Sequence, residues 1–165
     1  EAPLIDLERD QWDTWGPHTC EFLYAAGEGM KPQRLQKIAS GGEMSRIMLA
    51  LKVVLGSNDA VDTLVFDEID AGVGGSTARS LAEVLLDLSK THQVIVVTHL
   101  PQVAVCGDAH YVVTKQGNDH PETNLSKLLG DERVEEIARM LSGEVNEVSL
   151  AHARELLEER KPAGN

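Results

Sequence analysis

Apolar positions along the chain change their period several times, and each change marks an element. From Met44 to Leu55 they recur as Ile47, Leu51, Val54 and Leu55, a spacing that predicts a helix. Thr63-Leu-Val-Phe66 and Val94-Ile-Val-Val97 are short unbroken apolar runs, which predict strands buried on both faces as in a parallel sheet. Between them Leu81, Val84, Leu85 and Leu88 form the inward stripe of a second helix, with Ser76 as its cap and an end near Lys90. The more polar run from His110 to Lys115 predicts a third strand, closer to a sheet edge.

Toward the C-terminus, Val134, Ile137, Ala138 and Leu141 stripe a helix from Asp131 to Leu141, and a last helix runs from about Ser149 to Arg160. Gly143 is the expected stop between them. Gly56 to Asp62 is a turn-rich connector and Gly117 to Asn124 a polar loop. The start of the chain reads as extended, with a turn at Gly16-Pro17 and a strand from Cys20 to Tyr24 that Gly27-Glu-Gly29 breaks. Strand, helix, strand with parallel-sheet composition predicts an α/β fold, a mainly parallel sheet flanked by helices.

Composition narrows the function. The chain has 165 residues, 42% of them hydrophobic, enough for one domain with a core. Its net charge of −12 would repel the phosphate backbone of DNA, because nonspecific binding needs Lys and Arg. One local exception is Lys31, Arg34 and Lys37, followed by Arg46 and Lys52, which reads either as a nucleic-acid or nucleotide contact or as a solvated face. DNA contact is therefore expected mainly from other parts of a larger assembly. Cys20 and Cys106 are too few for a disulfide scaffold and have no metal-ligand spacing, which fits a reducing cytosol. No stretch approaches the roughly 20 apolar residues of a membrane span, and no signal peptide is present. The chain starts at Glu1 rather than Met and is expected to be cut from a longer polypeptide.

Three motifs carry candidate chemistry. Ser40-Gly-Gly-Glu43 opens the first helix: its glycines allow close backbone approach, and the first helix amides lack internal partners. With the Ser40 hydroxyl these suit a terminal phosphate, although an ordinary loop-to-helix turn has the same form. Leu64-Val-Phe-Asp-Glu68 ends a strand in two adjacent carboxylates, which repel unless a cation or a division of labour compensates. Asp67 suits Mg²⁺ and Glu68 the orientation and deprotonation of water, against the bland reading of a strand running into an acidic loop. Val96-Val-Thr-His99 ends the next strand, so His99 is expected on the same sheet edge, where ligands of open α/β sheets bind. A neutral imidazole there suits a γ-phosphate oxygen, and a satisfied loop histidine is the alternative. His18, His92, His110, His120 and His152 show no ligand spacing. Pro101-Gln102 either brings a side chain to a nucleotide or simply starts a helix.

Taken together, these motifs resemble the second half of an ABC ATPase head: signature motif, Walker B with catalytic glutamate, then switch histidine. Transporter members usually carry Gln where this chain has Glu43, and Pro where it has Ile69, so a transporter subunit is disfavoured. Glu43 and Asp67-Glu-Ile-Asp70 look instead like the SMC-type chromosome and repair ATPases. Ile38-Ala-Ser-Gly-Gly-Glu-Met-Ser-Arg-Ile-Met-Leu-Ala50, Phe66-Asp-Glu-Ile-Asp-Ala-Gly-Val-Gly-Gly75, Val97-Thr-His-Leu-Pro-Gln-Val-Ala104 and Arg133-Val-Glu-Glu-Ile-Ala-Arg-Met-Leu141 resemble a bacterial DNA-repair branch of that family. The likeness runs from about Phe22 to Leu157, and the segment before it carries no recognisable motif.

That resemblance implies that Ser40, Gly41, Gly42 and Glu43 act on ATP held by an opposite protomer. It implies that Asp67 positions Mg²⁺ through a water, that Glu68 is the general base, and that His99 contacts the γ-phosphate in cis. Asp70 would begin a D-loop crossing the dimer interface. The phosphate-binding loop Gly-x-x-x-x-Gly-Lys-Ser/Thr is absent from residues 1–165, as are sustained coiled-coil heptads. The whole chain is therefore expected to be the C-terminal half of a head, inactive until completed by the N-terminal half, then dimerising with a second head around ATP. The implied setting is bacterial cytoplasm, associated with the nucleoid, with DNA met through the assembled protein and no membrane partner. The rival readings are another SMC-like ATPase with different DNA duties and a non-hydrolysing, nucleotide-gated scaffold.

Overall fold

The computed structural model describes residues 14, 16, 21–25, 27–37, 40–56, 61–116 and 122–160. Cys20, His18, His120, Ile38, Ala39, most of the acidic N-terminal run and the centre of the connector lie outside the described residues. The chain divides into two compact units, residues 1–40 and 41–165. In the first, β1 (Leu23–Tyr24) pairs antiparallel with β2 (Gln33–Arg34), and a 3-10 turn follows over Leu35–Lys37. Arg34 is spent on Glu21, at 2.7 Å, while Lys31 and Lys37 are exposed.

The second unit begins with α1 (Gly41–Leu55), followed by β3 (Thr63–Phe66), α2 (Gly75–Leu88) and β4 (Gln93–Val96). β3 and β4 pair in parallel, Leu64 beside Val94 and Phe66 beside Val96, with α2 as the crossover. This is the expected strand–helix–strand unit, and the chain is α/β as its pattern predicts. The expectation of burial on both strand faces is corrected, because Leu64 and Phe66 face the core while Val65 is 65% exposed. Ile95 and Val97 are exposed on the same side of β4. The cause is that α2 covers one face of a sheet only two strands wide. Buried residues on α2 are Ala78, Leu81, Ala82, Leu85 and Leu88, so Val84 lies outside the expected stripe. Gly74, not Ser76, occupies the N-cap, without a side-chain cap bond, because α2 starts one residue before Ser76.

The expected stripe of α1 is likewise incomplete. Leu49 enters the core, Ile47 and Leu51 are half-buried, and Val54 and Leu55 are exposed. Among the described residues the sheets are three two-stranded pairs, of which only β3–β4 is parallel. β5 (His110–Gln116) pairs antiparallel with β6 (Glu122–Leu128), correcting the polar loop expected to run through Asn124. A polar ribbon lacks the one-sided alternation that betrays a half-buried strand, so periodicity does not find β6.

After β4 comes α3 (Pro101–Ala104), with Pro101 at its first turn, the structural reading of Pro101-Gln102. α4 (Asp131–Ser142) ends at Gly143, which takes the left-handed conformation at φ 79° and donates its N–H to Arg139 O at 2.8 Å. α5 (Glu147–Glu159) starts in a reciprocal cap between Asn146 and Ser149. One core joins Leu49, Leu64, Phe66, Ile69, Leu81, Leu85, Leu88 and Val103. The other joins Ala104, Val105, Ile137, Ala138 and Ala153, and Cys106 touches both. Arg133 donates to the carbonyls of Ala104, Val105 and Gly107, and Arg160 to that of Cys106, so two guanidiniums satisfy the free carbonyl end of α3.

No helix among the described residues is long and apolar enough to cross a membrane. Ile137 is fully buried, and Ile137→Ala should destabilise the chain by about 2–5 kcal/mol. Val148→Ala, at an exposed position, should change stability by less than about 0.5 kcal/mol; urea midpoints of both variants check the contrast.

Candidate functional site

Parallel pairing brings the C-terminal ends of β3 and β4 side by side, and the sequence places its polar residues there. Val97 N–H donates to Phe66 O at 2.9 Å, extending the register one step past the strands. Asp67 and Glu68 follow β3 and are exposed, whereas Ile69 and Asp70 turn inward and are buried. The turn closes with Ala71 N–H donating to Glu68 O and Val73 N–H to Asp70 O, both at 3.0 Å.

Asp70 links the two strand ends. Its Oδ2 accepts from the Thr98 hydroxyl and from His99 N–H, the latter at 2.9 Å, and lies 3.2 Å from His99 Nδ1. Thr98 Oγ1 in turn accepts from Leu100 N–H at 3.0 Å. Burial pushes the Asp70 carboxyl up, but the hydrogen bonds from Thr98 and His99 and the nearby His99 ring outweigh it, so its pKa lies below the ordinary value. Asp70, the residue expected to begin a D-loop, thus has its side chain turned into the chain. His99 stays mostly exposed, at the same end of the parallel pair as Asp67 and Glu68.

Glu68 is the only non-glycine residue with positive φ among the described residues, at 55°. For an L-residue that conformation costs about 1–2 kcal/mol, and such strain collects where function over-determines the backbone. The start of α1 lies directly against it. A Cβ on Gly41 would overlap Glu68 Oε2, and one on Gly42 would come within 2.9 Å of Glu68 O and 2.8 Å of Ala71 Cβ. The loop backbone thus requires glycine at Gly42, whereas at Gly41 a side chain would only push the flexible Glu68 carboxylate aside. Glu43 follows, half-buried, in the first turn, and Ser40 is exposed at the end of the first unit.

Arg46 is expected from the sequence to be either a nucleic-acid or nucleotide contact or part of a solvated face. It is instead half-buried, with Nη1 donating to Ile69 O at 3.2 Å and Ala71 O at 2.9 Å. Ser45 Oγ donates to Asp67 O at 2.7 Å, a contact that no motif had suggested. Both partners lie more than 20 residues away in sequence, so only the placement of Ser45 and Arg46 three and four residues after Gly42, on one face of α1, hints at either bond. Among the other histidines, His92 is buried beside Thr91 at 2.8 Å, a structural role, and His152 is exposed.

No group of three or more His, Cys, Asp or Glu side chains suited to a metal occurs among the described residues. The exposed Asp67 carboxylate still fits Mg²⁺, which commonly takes one or two carboxylates and completes its shell with phosphate oxygens and water.

Three curated relatives share most of this chain. The DNA repair protein RecN of Treponema pallidum is 51% identical over 145 residues, that of Mycobacterium leprae 52% over 144, and that of Bacillus subtilis 40% over 161. These alignments cover 87%, 87% and 96% of the chain. The chain matches the C-terminal part of RecN. It spans about a quarter of the length of those RecN relatives, 25%, 24% and 28% respectively. No family model matches the chain. Two solved structures are distant likenesses. One, from work on ATP-driven dimerization and DNA-stimulated activation of SMC ATPases, gives a TM-score of 0.42 at 23% identity, over 82% of this chain and 70% of that one. The other, an SMC head domain from Thermotoga maritima, gives 0.45 at 27% identity over 62% and 37%. The resemblance to a bacterial DNA-repair branch, read from four strings, is thus borne out by the RecN relatives.

Asp70→Asn should cost about 1.5–3 kcal/mol at neutral pH through its weakened hydrogen bonds. Because the folded pKa is depressed, the stabilisation from Asp70 is complete above its ordinary 3.8 and is lost as pH falls through the lower folded value. Urea midpoints should therefore fall more steeply on acidification below pH 3.8 for the parent chain than for Asp70→Asn.

Proposed function

We propose that this segment is the hydrolytic and trans-acting half of a RecN-type ATPase head. The reading is carried by the end of β3, where a strained Glu68 stands beside Asp67 on the edge that also presents His99. In it, Glu68 orients a water and takes its proton as that water attacks the terminal phosphate of ATP. Asp67 holds Mg²⁺, which neutralises charge on the phosphate oxygens. His99 hydrogen-bonds the γ-phosphate from the neighbouring strand end, its backbone fixed by Asp70. Ser40, Gly41, Gly42 and Glu43 bring the N-terminus of α1 to the nucleotide held by a second head. Catalysis rests on positioning and electrostatics, with no covalent step for the protein.

The need for an N-terminal half has its own support. A parallel sheet is normally covered on both faces, yet Val65, Ile95 and Val97 form an open apolar face on β3–β4. Burying it against the missing strands or helices of the head would complete the layer and bring a phosphate-binding loop to these strand ends. In the whole protein, ATP-dependent closure and hydrolysis-driven release of two heads would be linked to double-strand break repair on the bacterial nucleoid. The intact Asp67–Glu68 pair disfavours the non-hydrolysing scaffold, which needs no base.

The test is direct. This chain alone should show no ATP turnover, and mixing it with a separately made N-terminal half should restore it; turnover by the chain alone would refute the half-site. In the complete protein, Glu68→Gln should lower kcat at least about a hundredfold while ATP binding and ATP-dependent dimerisation persist.

A further inference from the structure

The strained conformation at Glu68 must be held by its surroundings, and what surrounds it is unusually specific. Two consecutive side chains of α1 reach the loop on either side of the glutamate. Ser45 Oγ bonds the carbonyl of Asp67, the residue before it, at 2.7 Å. Arg46 Nη1 bonds the carbonyls of Ile69 and Ala71, after it, at 3.2 and 2.9 Å. Gly42, one turn earlier on the helix, lets the Glu68 carbonyl approach the helix backbone, and a Cβ there would also come within 3.1 Å of Arg46 Nη1. Gly41 leaves room for the carboxylate itself.

We infer that Ser45 and Arg46 are positioning residues for the Glu68 base: they bracket the Asp67–Ala71 loop and keep Glu68 in its left-handed conformation. The inference rests on the reading of Glu68 as the base and adds to it a role for α1 within its own protomer. The helix that offers its N-terminus to a nucleotide across the dimer thereby also sets the carboxylate that serves the nucleotide on its own side. A guanidinium suits the task because it presents donors in a fixed fork, whereas a lysine ammonium is a mobile point donor.

Two measurements decide it. NMR couplings and chemical shifts of this chain report the Glu68 backbone torsion without any nucleotide. In Arg46→Met that torsion should leave the left-handed region, and in Arg46→Lys and Ser45→Ala it should shift part-way; an unchanged torsion in all three overturns the inference. Should Arg46→Met fail to fold, the two milder variants give the same decision. In the complete protein, Arg46→Lys should lower kcat about tenfold to a hundredfold with KM for ATP changed by less than about twofold.

Mixed dimers then separate the two sides of α1. One protomer keeps Glu68 and the other carries Glu68→Gln, and Arg46→Lys is placed on either. The defect should follow the protomer that keeps Glu68. A defect that follows the Glu68→Gln protomer would show Arg46 acting across the interface and overturn the inference. Undiminished turnover in complete protein carrying Glu68→Gln on both protomers would instead overturn the base assignment, while the torsion measurement would still decide whether the bracket holds.

Discussion

The arrangement of this segment depends on a carboxylate buried between two strand ends. Parallel pairing alone sets β3 and β4 side by side, but it leaves the loops beyond them free to diverge. Asp70 prevents this by accepting from the Thr98 hydroxyl and the His99 N–H together. Burying a charge without partners is prohibitive, so the carboxylate is tolerable only with both loops in place. Asp67, Glu68 and His99 then share one edge because the residue between the pairs is fixed, and α1 closes the same loop from behind through Ser45 and Arg46.

That edge belongs to a sheet that is covered on one side. α2 and α3 cover one side of β3–β4, and the first core fills the space between. The other side presents valine and isoleucine, and the outer part of α1 presents Val54 and Leu55. The proposed chemistry is equally uneven: Asp67, Glu68 and His99 are here, and no Gly-x-x-x-x-Gly-Lys-Ser/Thr loop occurs in the sequence. The open apolar face and the proposed half-site therefore lie on the same two strands.

Much of this was legible along the chain, where the signal was local. β3, α2, β4 and α4 follow from periodicity, and Gly143 from the chemistry of helix ends. Asp67, Glu68 and His99 follow from polar residues closing apolar runs. What the chain does not write locally was missed. The bridge that Asp70 makes between the strand ends is invisible until β4 supplies Thr98 and His99, and a surface-like Arg46 looks solvated until the loop supplies carbonyls. The apolar runs of β3 and β4 suggested two covered faces because composition does not say how many covers a sheet has, and α2 with α3 supplies one. β6 escaped because its partner, rather than a core, defines it.

The C-terminal pair of helices is fastened to this machinery at one place. Arg133 from α4 and Arg160 from the end of α5 both grip the carbonyls that close α3, and α3 begins immediately beyond His99 and Leu100. α3 is only four residues long, so its two ends are about one helical turn apart. The cations of α4 and α5 and the histidine loop thus share one short anchor, so removing either guanidinium would leave carbonyls within a few residues of His99 without their donors.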